Sequence, residues 1–431
     1  MELQIHLDGT WHSCASLSLI DPERAGRRNA VRLQYEAEYA IEHFGAQDHR
    51  ALSVRLPVNL ATQTPRQWPA FLIDLLPQGA ARKRLERLSE HSMSEWGLLE
   101  RGAVNPVGNL RVCPTEPPEL RPPSDHPGFD LEEMTGRGDE FVDFAHEMGA
   151  TVAGATDTQG EAPKFWVIED ANGRWHPDDG SPRAGTRRHM LLKFPVPESG
   201  PRAADILRNE VAYQRVAQRL GLRVAPALPE FVKGALLITR FDRRRAAGKD
   251  VRLGVESLYS VADILDSAQT PLRHHEVLIA LSRCLTGFES QMLEYIRRDL
   301  LNLAVGNRDN HGRNTAVLKE LDGTIRLSPL YDFGPAFLDA RSIVRVIRWE
   351  GEEPGGTHWN RVLECLQTRF EEVGVEQPDW REVAREMRAF GRELRSLPAL
   401  MRDCGVDQAI IDLRHHEISR LIHELTAIET P

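Results

Sequence analysis

Asp309, Asn314, Asp332 and Lys193 have the side-chain types and spacing needed to move a phosphoryl group. Asp309 and Asn314 stand five apart in the polar run Gly306-Asn307-Arg308-Asp309-Asn310-His311-Gly312-Arg313-Asn314, and Asp332 follows in Leu330-Tyr331-Asp332-Phe333-Gly334. Lys193 lies upstream in the apolar run Leu191-Leu192-Lys193-Phe194. Phosphoryl transfer asks for few protein parts: a carboxylate to take the acceptor's proton, carboxylate and amide oxygens for a divalent ion, and cations on the phosphates. A lysine among apolar neighbours is costly to bury without an anionic partner, and Glu210, in the next helical stretch, can supply one.

Aspartate, four residues and then asparagine is the spacing of the protein-kinase catalytic loop, and Asp332-Phe333-Gly334 matches the metal-binding tripeptide that follows it there. Each piece alone is weak. Loop Asp and Asn commonly make Asx turns, an edge-strand lysine can snorkel to water, and a helix glutamate usually faces solvent. The order along the chain carries the reading: lysine strand, helix with glutamate, polar loop, second aspartate.

Those groups need elements to hold them. Short alternating runs, Glu2–Leu7 and Ala30–Tyr35, separated by turn residues such as Asp8-Gly9, predict a strand-rich N-terminal module, with a helical stretch around Trp68 to Leu88. The proline-rich run Thr115–Ser124 breaks regular structure and predicts a boundary. Beyond it, strands are expected at Pro163–Ile168, Met190–Phe194 and Ala235–Phe241, with a helix over Ala203–Leu220 stopped by Gly221. The remainder reads as mostly helical, over His275–Val305 and Trp380–Leu425, with a loop and a short strand pair from Gly306 to Tyr331. The expected fold class is α+β: a protein-kinase-like bilobal fold, with a small strand-rich lobe over 129–245 and a large helical catalytic lobe over 246–431. A β-rich subdomain over 1–114 and a linker over 115–128 precede it.

The composition excludes several classes. The chain is 41% hydrophobic and 27% charged, which rules out disorder and fibres. It has no apolar run long enough for a membrane helix and no basic start followed by an apolar core, so a cytoplasmic protein without membrane contact is expected. Five scattered cysteines form no CxxC pair, and neither a disulfide framework nor a zinc site is signalled. The net charge of −10 argues against direct nucleic-acid binding through a general positive field. One local cluster, Arg240, Arg243, Arg244 and Arg245, could touch phosphate, though arginines paired with acidic residues are the commoner case. Only six lysines occur among 54 basic residues, which singles out Lys193 and Lys164.

Taken together, the residues resemble the HipA-type serine/threonine kinases of bacterial toxin–antitoxin modules. The likeness spans Leu56-Pro57-Val58, Leu75-Leu76-Pro77-Gln78-Gly79, Gly154 through Gly160-Glu161-Ala162-Pro163-Lys164-Phe165, Leu192-Lys193-Phe194-Pro195, Asn209-Glu210, Arg240-Phe241-Asp242-Arg243, Gly306 to Asn314, and Tyr331-Asp332. It implies ATP and Mg²⁺ as cofactors. Asp309 would be the catalytic base and His311 would order its loop, while Asn314 and Asp332 would hold the metal. Lys193, partnered by Glu210, would meet the phosphates, and Thr239-Arg240-Phe241 would lie against the adenine. Gly154 to Lys164 resembles the family's phosphate-facing loop, whose autophosphorylation on serine switches the kinase off. Here the loop holds no serine, and Asp157 already places a negative charge in it. Thr151, Thr156 and Thr158 are the hydroxyl candidates, so the switch either works through threonine or is absent.

The resemblance further implies a protein substrate, typically a translation factor such as an aminoacyl-tRNA synthetase. It also implies a helix-turn-helix antitoxin that would supply any DNA contact. Two rivals stand beside this reading: a non-catalytic ATP-binding co-repressor scaffold, and a small-molecule kinase.

Overall fold

The computed structural model describes residues 1–431 apart from 25, 77–92, 102–104, 115–125, 137–138, 148–163, 181–182, 184, 196–199, 247–248, 267–269, 354–355 and 430–431.

The N-terminal module is an antiparallel sheet of β1 (Glu2–Leu7), β2 (Thr10–Leu19), β3 (Val31–Tyr35) and β4 (Leu110–Val112), ordered β3-β2-β1-β4. Asp8 and Gly9 both take positive φ, 51° and 86°, which suits a two-residue hairpin between Leu7 and Thr10. The inward positions of β3, Val31, Leu33 and Tyr35, are buried while Arg32 and Gln34 face water, as the alternation predicts. Short helices α1 (Ala37–Glu42), α2 (Phe71–Asp74) and α3 (Glu95–Arg101) cover this core. Of the helical stretch expected over Trp68–Leu88, a single turn, α2, falls within the described residues.

Next come α4 (Leu131–Thr135), whose N-terminus Asp130 and Glu133 close with a capping box, and α5 (Asp139–Glu147). They pack on a five-stranded antiparallel sheet of β5 (Lys164–Glu169), β6 (Trp175–Pro177), β7 (Arg188–Lys193), β8 (Glu230–Val232) and β9 (Ala235–Thr239), ordered β6-β5-β7-β9-β8. Helix α6 (Ala203–Arg219) crosses this sheet and ends before Gly221, whose φ of 74° a side chain would resist. β9 stops at Thr239, two residues short of the expected strand. Arg240 still donates its backbone N–H to His189, but its side chain turns inward to Asp242.

Rather than turning helical, the chain then forms a hairpin of β10 (Arg243–Ala246) and β11 (Lys249–Arg252), followed by β12 (Gly254–Ser257) and α7 (Leu258–Val261). The helical lobe continues with α8 (His274–Ser282) and α9 (Phe288–Val305), which the left-handed Gly287 separates within the expected long helix. β13 (Ala316–Lys319) and β14 (Ile325–Leu327) extend β12 into a three-stranded sheet. A small hairpin, β15 (Glu352–Glu353) with β16 (Gly356–Thr357), leads to α10 (Trp359–Val373), a helix the sequence reading did not assign. The stretch expected as one helix from Trp380 is α11 (Trp380–Glu393), α12 (Leu397–Asp403) and α13 (Gln408–Thr426), broken near Pro398 and Gly405.

The strand-rich and helix-rich parts form a bilobal, kinase-like fold. The N-terminal module is fastened to it by buried polar contacts. Glu256 accepts from the Ser53 hydroxyl (2.5 Å), the Val54 N–H (2.9 Å) and the Ser260 hydroxyl (2.7 Å), while Lys319 donates to the Ala51 carbonyl (3.0 Å).

Candidate active site

A cleft with about 160 Å³ of free volume opens between the five-stranded sheet and the helical lobe. On its sheet side, Lys164 of β5 and Lys193 of β7 are paired directly across the two strands. Like charges so placed repel and need an anion between them. Asp332 is that anion: its Oδ1 accepts from Lys193 Nζ at 2.5 Å, and its Oδ2 lies 3.7 Å from Lys164 Nζ. Glu210 of α6 also accepts from Lys193, at 2.9 and 3.2 Å.

Burial alone would lower the Lys193 ammonium's pKa, but Asp332 and Glu210 outweigh it and hold the group well above its usual range. Burial would raise Asp332, and the two lysines reverse that and keep it firmly ionised. Lys164, buried with weaker partners, is depressed. Asp332 sits at φ 51°, a left-handed conformation that Asp and Asn tolerate better than other side chains. Phe333 anchors it by inserting into the main core against Tyr213.

The catalytic-loop candidates face this cluster from the helical lobe. α9 ends at the left-handed Gly306, and the chain then coils through residues 307 to 315. Asn314 donates its amide N–H to the Asp309 carbonyl (2.6 Å), which draws the two ends of the five-residue span together. His311 Nε2 lies 3.5 Å from Asp309 Oδ1, and its Nδ1 accepts from the Arg313 N–H (3.2 Å), so this imidazole bridges both halves of the loop. Burial raises the Asp309 carboxyl above its ordinary range and the nearby Asp332 adds to the rise, with His311 and the lysines opposing. Among the described residues, no group of three or more His, Cys, Asp or Glu forms a metal cage.

Thr239, Arg240 and Phe241 all line the cleft, in different ways. The Phe241 ring stacks on Tyr331 with centroids 5.5 Å apart and gives the cleft an aromatic wall. Arg240 is engaged elsewhere: its guanidinium lies 3.8 Å over Trp166 and donates to Asp242 (2.8 and 3.0 Å). Arg243 joins the same carboxylate, Arg244 pairs with Glu320, and Arg245 donates to the Thr186 carbonyl, so the arginine cluster is spent on internal contacts. Gly154, Thr151, Thr156 and Thr158 lie outside the described residues.

Several residues of the site escaped the sequence reading. Asp299 on α9 accepts from Asn310 (2.7 Å), Arg345 (2.7 Å) and the Trp349 indole (2.7 Å), and thereby ties the loop to the segment after Asp332. Its one signal was an aspartate inside a helical pattern, directly before Leu300-Leu301. Gly312 packs so closely on Tyr259 that a Cβ there would stand 2.6 Å from the ring. Asp74 and Val107 reach the cleft from the N-terminal module, which periodicity alone could not show.

The fold is that of a kinase-like protein. Residues 154–394 match the HipA-like C-terminal domain and residues 23–113 the HipA N-terminal domain, so the chain belongs to the HipA family. HipA of a toxin–antitoxin system from Shewanella oneidensis MR-1, solved with HipB and its operator DNA, superposes with a TM-score of 0.66 at 15% identity, covering 98% of this chain and 96% of that one. Y4mE of Sinorhizobium fredii, a protein named as a kinase, is 25% identical over 303 residues, 65% of this chain and 67% of that protein. The Helicobacter pylori kinase CtkA aligns over 62% of this chain and 90% of its own at 10% identity, with a TM-score of 0.35.

Proposed function

We propose that the protein is an ATP- and Mg²⁺-dependent serine/threonine protein kinase of the HipA type. On this reading it acts as a growth-arresting toxin on a component of translation, such as an aminoacyl-tRNA synthetase. The observation that carries the reading is the cross-strand lysine pair closed by Asp332. Two adjacent ammonium groups aimed into a cleft form a cradle for a polyanion, and the carboxylate between them occupies the place a triphosphate would share.

Asp309, desolvated and close enough to Asp332 and the lysines to feel their charge, holds the acceptor hydroxyl and takes its proton. His311 and Asn314 keep that carboxylate in place through the contacts already described. Asn314 spends its N–H on Asp309 and leaves its side-chain oxygen without a donor among the described residues, and Asp332 offers a carboxylate. These oxygens fit Mg²⁺, which is usually held by one or two protein ligands together with substrate phosphates. When bound, the ion would neutralise charge on the β- and γ-oxygens. Glu210 orients Lys193 towards the phosphates, and the Phe241–Tyr331 pair offers an aromatic face to the base.

The likeness to a HipA solved with HipB and operator DNA supports a small DNA-binding antitoxin as partner. Autophosphorylation on Thr156 or Thr158 is part of the same proposal.

Brief expression followed by phosphoproteomics, comparing wild type with Asp332→Asn, tests the reading together with labelled ATP in a cell lysate. A labelled protein band and phosphosites present only with the wild type are expected. A labelled small metabolite would establish a small-molecule kinase instead, and no label at all a binding scaffold.

A further inference from the structure

Within the cleft, most polar side chains already have an assigned partner or role. Lys164, Lys193 and Asp332 form the phosphate end, and Arg240 and Asp242 hold one another at the end near Phe241. Asp74 has a partner but no role assigned so far. It comes from the N-terminal module, at the end of α2, where the run Phe71-Leu72-Ile73-Asp74-Leu75-Leu76 places one carboxylate in an otherwise apolar turn. Its oxygens accept from the Ser257 N–H (2.9 Å) and the Ser257 hydroxyl (2.7 Å). A carboxylate has about four acceptor positions, so two ordinary hydrogen bonds leave it capacity for more.

The position of Asp74 in the cleft follows from β12. Val255 and Ser257 both line the cleft, two residues apart on one face of the strand, while Glu256 between them points away to Ser53 and Val54. Gly108 packs against Val255, so this end of β12 adjoins Val107 in the cleft lining. Ser257 is about 6.6 Å farther along, given a strand rise of about 3.3 Å per residue. There it pairs with Ala316, two residues beyond Asn314. The Asp74–Ser257 pair therefore lies between the aromatic wall for a base and the oxygens at the phosphate end. Burial raises the Asp74 carboxyl to about 6, with Arg313 opposing the rise. A nucleoside triphosphate laid along this cleft has one hydrogen-bonding part left for that middle position, its sugar hydroxyls.

We propose that Asp74 accepts hydrogen bonds from the ribose hydroxyls of the nucleotide, so that the N-terminal module selects ribonucleotide over deoxyribonucleotide. This rests on the reading of the cleft as an ATP site and adds to it a recognition residue outside both kinase lobes.

The test is calorimetric binding of ATP, 2′-deoxy-ATP and 3′-deoxy-ATP with Mg²⁺ to the full-length protein, to Asp74→Ala and to Asp74→Asn. A hydrogen bond to a charged acceptor predicts that wild type binds at least one deoxy analogue roughly tenfold more weakly than ATP. Asp74→Ala is expected to bring ATP down to the analogue's affinity and erase the difference. Equal binding of all three by wild type overturns the proposal, and so does discrimination that survives in Asp74→Ala. Because Asp74 also holds Ser257, the N-cap of α7, a variant that does not fold leaves the wild-type comparison to decide. Absence of binding by any of the three nucleotides overturns the ATP-site reading itself, a pattern distinct from equal binding.

Discussion

Lys193 and Asp332, 139 positions apart in sequence, share a hydrogen bond of 2.5 Å, and Glu210 holds the same ammonium at 2.9 Å. Removing the cation strands two carboxylates. Lys193→Met should therefore destabilise the protein by about 3–5 kcal/mol and reduce transfer from ATP by at least about 10²-fold. Lys193→Met/Glu210→Gln should regain part of the stability and none of the activity. Urea unfolding and labelled-ATP transfer measure both, and a double variant whose destabilisation is the sum of the singles would show that the pair does not interact.

Asp332 combines a charge role with a left-handed backbone. Asn suits that backbone and Ala does not, so Asp332→Asn and Asp332→Ala should both lose activity, while Ala costs roughly 1 kcal/mol more in stability. Equal unfolding midpoints for the two variants would refute the strain.

The pH dependence has two expected limbs with different sources. Asp309 is held above the ordinary aspartate range and must be ionised to accept a proton, so transfer should fall with acid at a pH above that of a free aspartate. Asp332 is shifted downwards, so the stability it contributes is present above the ordinary carboxyl pKa near 3.8 and is lost as pH falls towards its depressed folded value. A pH–rate profile reports the first. Acid unfolding of wild type against Asp332→Asn reports the second, where the variant should show a flatter acid limb.

Asp299 acts on the loop through Asn310 rather than on substrate. Asp299→Ala leaves Asn310, Arg345 and Trp349 without their shared acceptor and should cost about 3 kcal/mol. It should lower kcat more than it raises KM for ATP, because the base is loosened while the lysine cradle is untouched. A change confined to KM would place Asp299 outside the loop's support.

Of the candidate site, Lys193 and Asp332 stood out as charges among apolar neighbours, and Asp309 and Asn314 by a spacing that the loop closes with one hydrogen bond. The strands β5, β7 and β9 were legible through apolar runs bounded by turn residues. The hairpin Arg243–Arg252 was not: its pattern is charged on both faces, since Arg243 and Arg252 are buried by partners such as Asn105 and the Pro106 carbonyl that are distant in sequence. The same holds for Arg240, whose guanidinium lies over Trp166. Asp74 could be noticed as a lone carboxylate, but its entry into the cleft depends on how one module docks on another, which no local period encodes. The break at Gly287 was visible as a glycine, and only its left-handed φ makes it a stop.

The polar fastening at Glu256 separates where the chemistry is encoded from where the protein can be cut. A fragment starting at residue 129 would carry every group assigned to transfer, yet it would lose Ser53, the Val54 N–H and the Ala51 carbonyl. A buried glutamate and a buried lysine would then be left short of hydrogen-bond partners on a newly wetted face. Shortening from the front would also strip Val107 and Asp74 from the cleft wall. A working unit of this chain accordingly has to include the module that carries Ala51, Ser53, Val54 and Asp74.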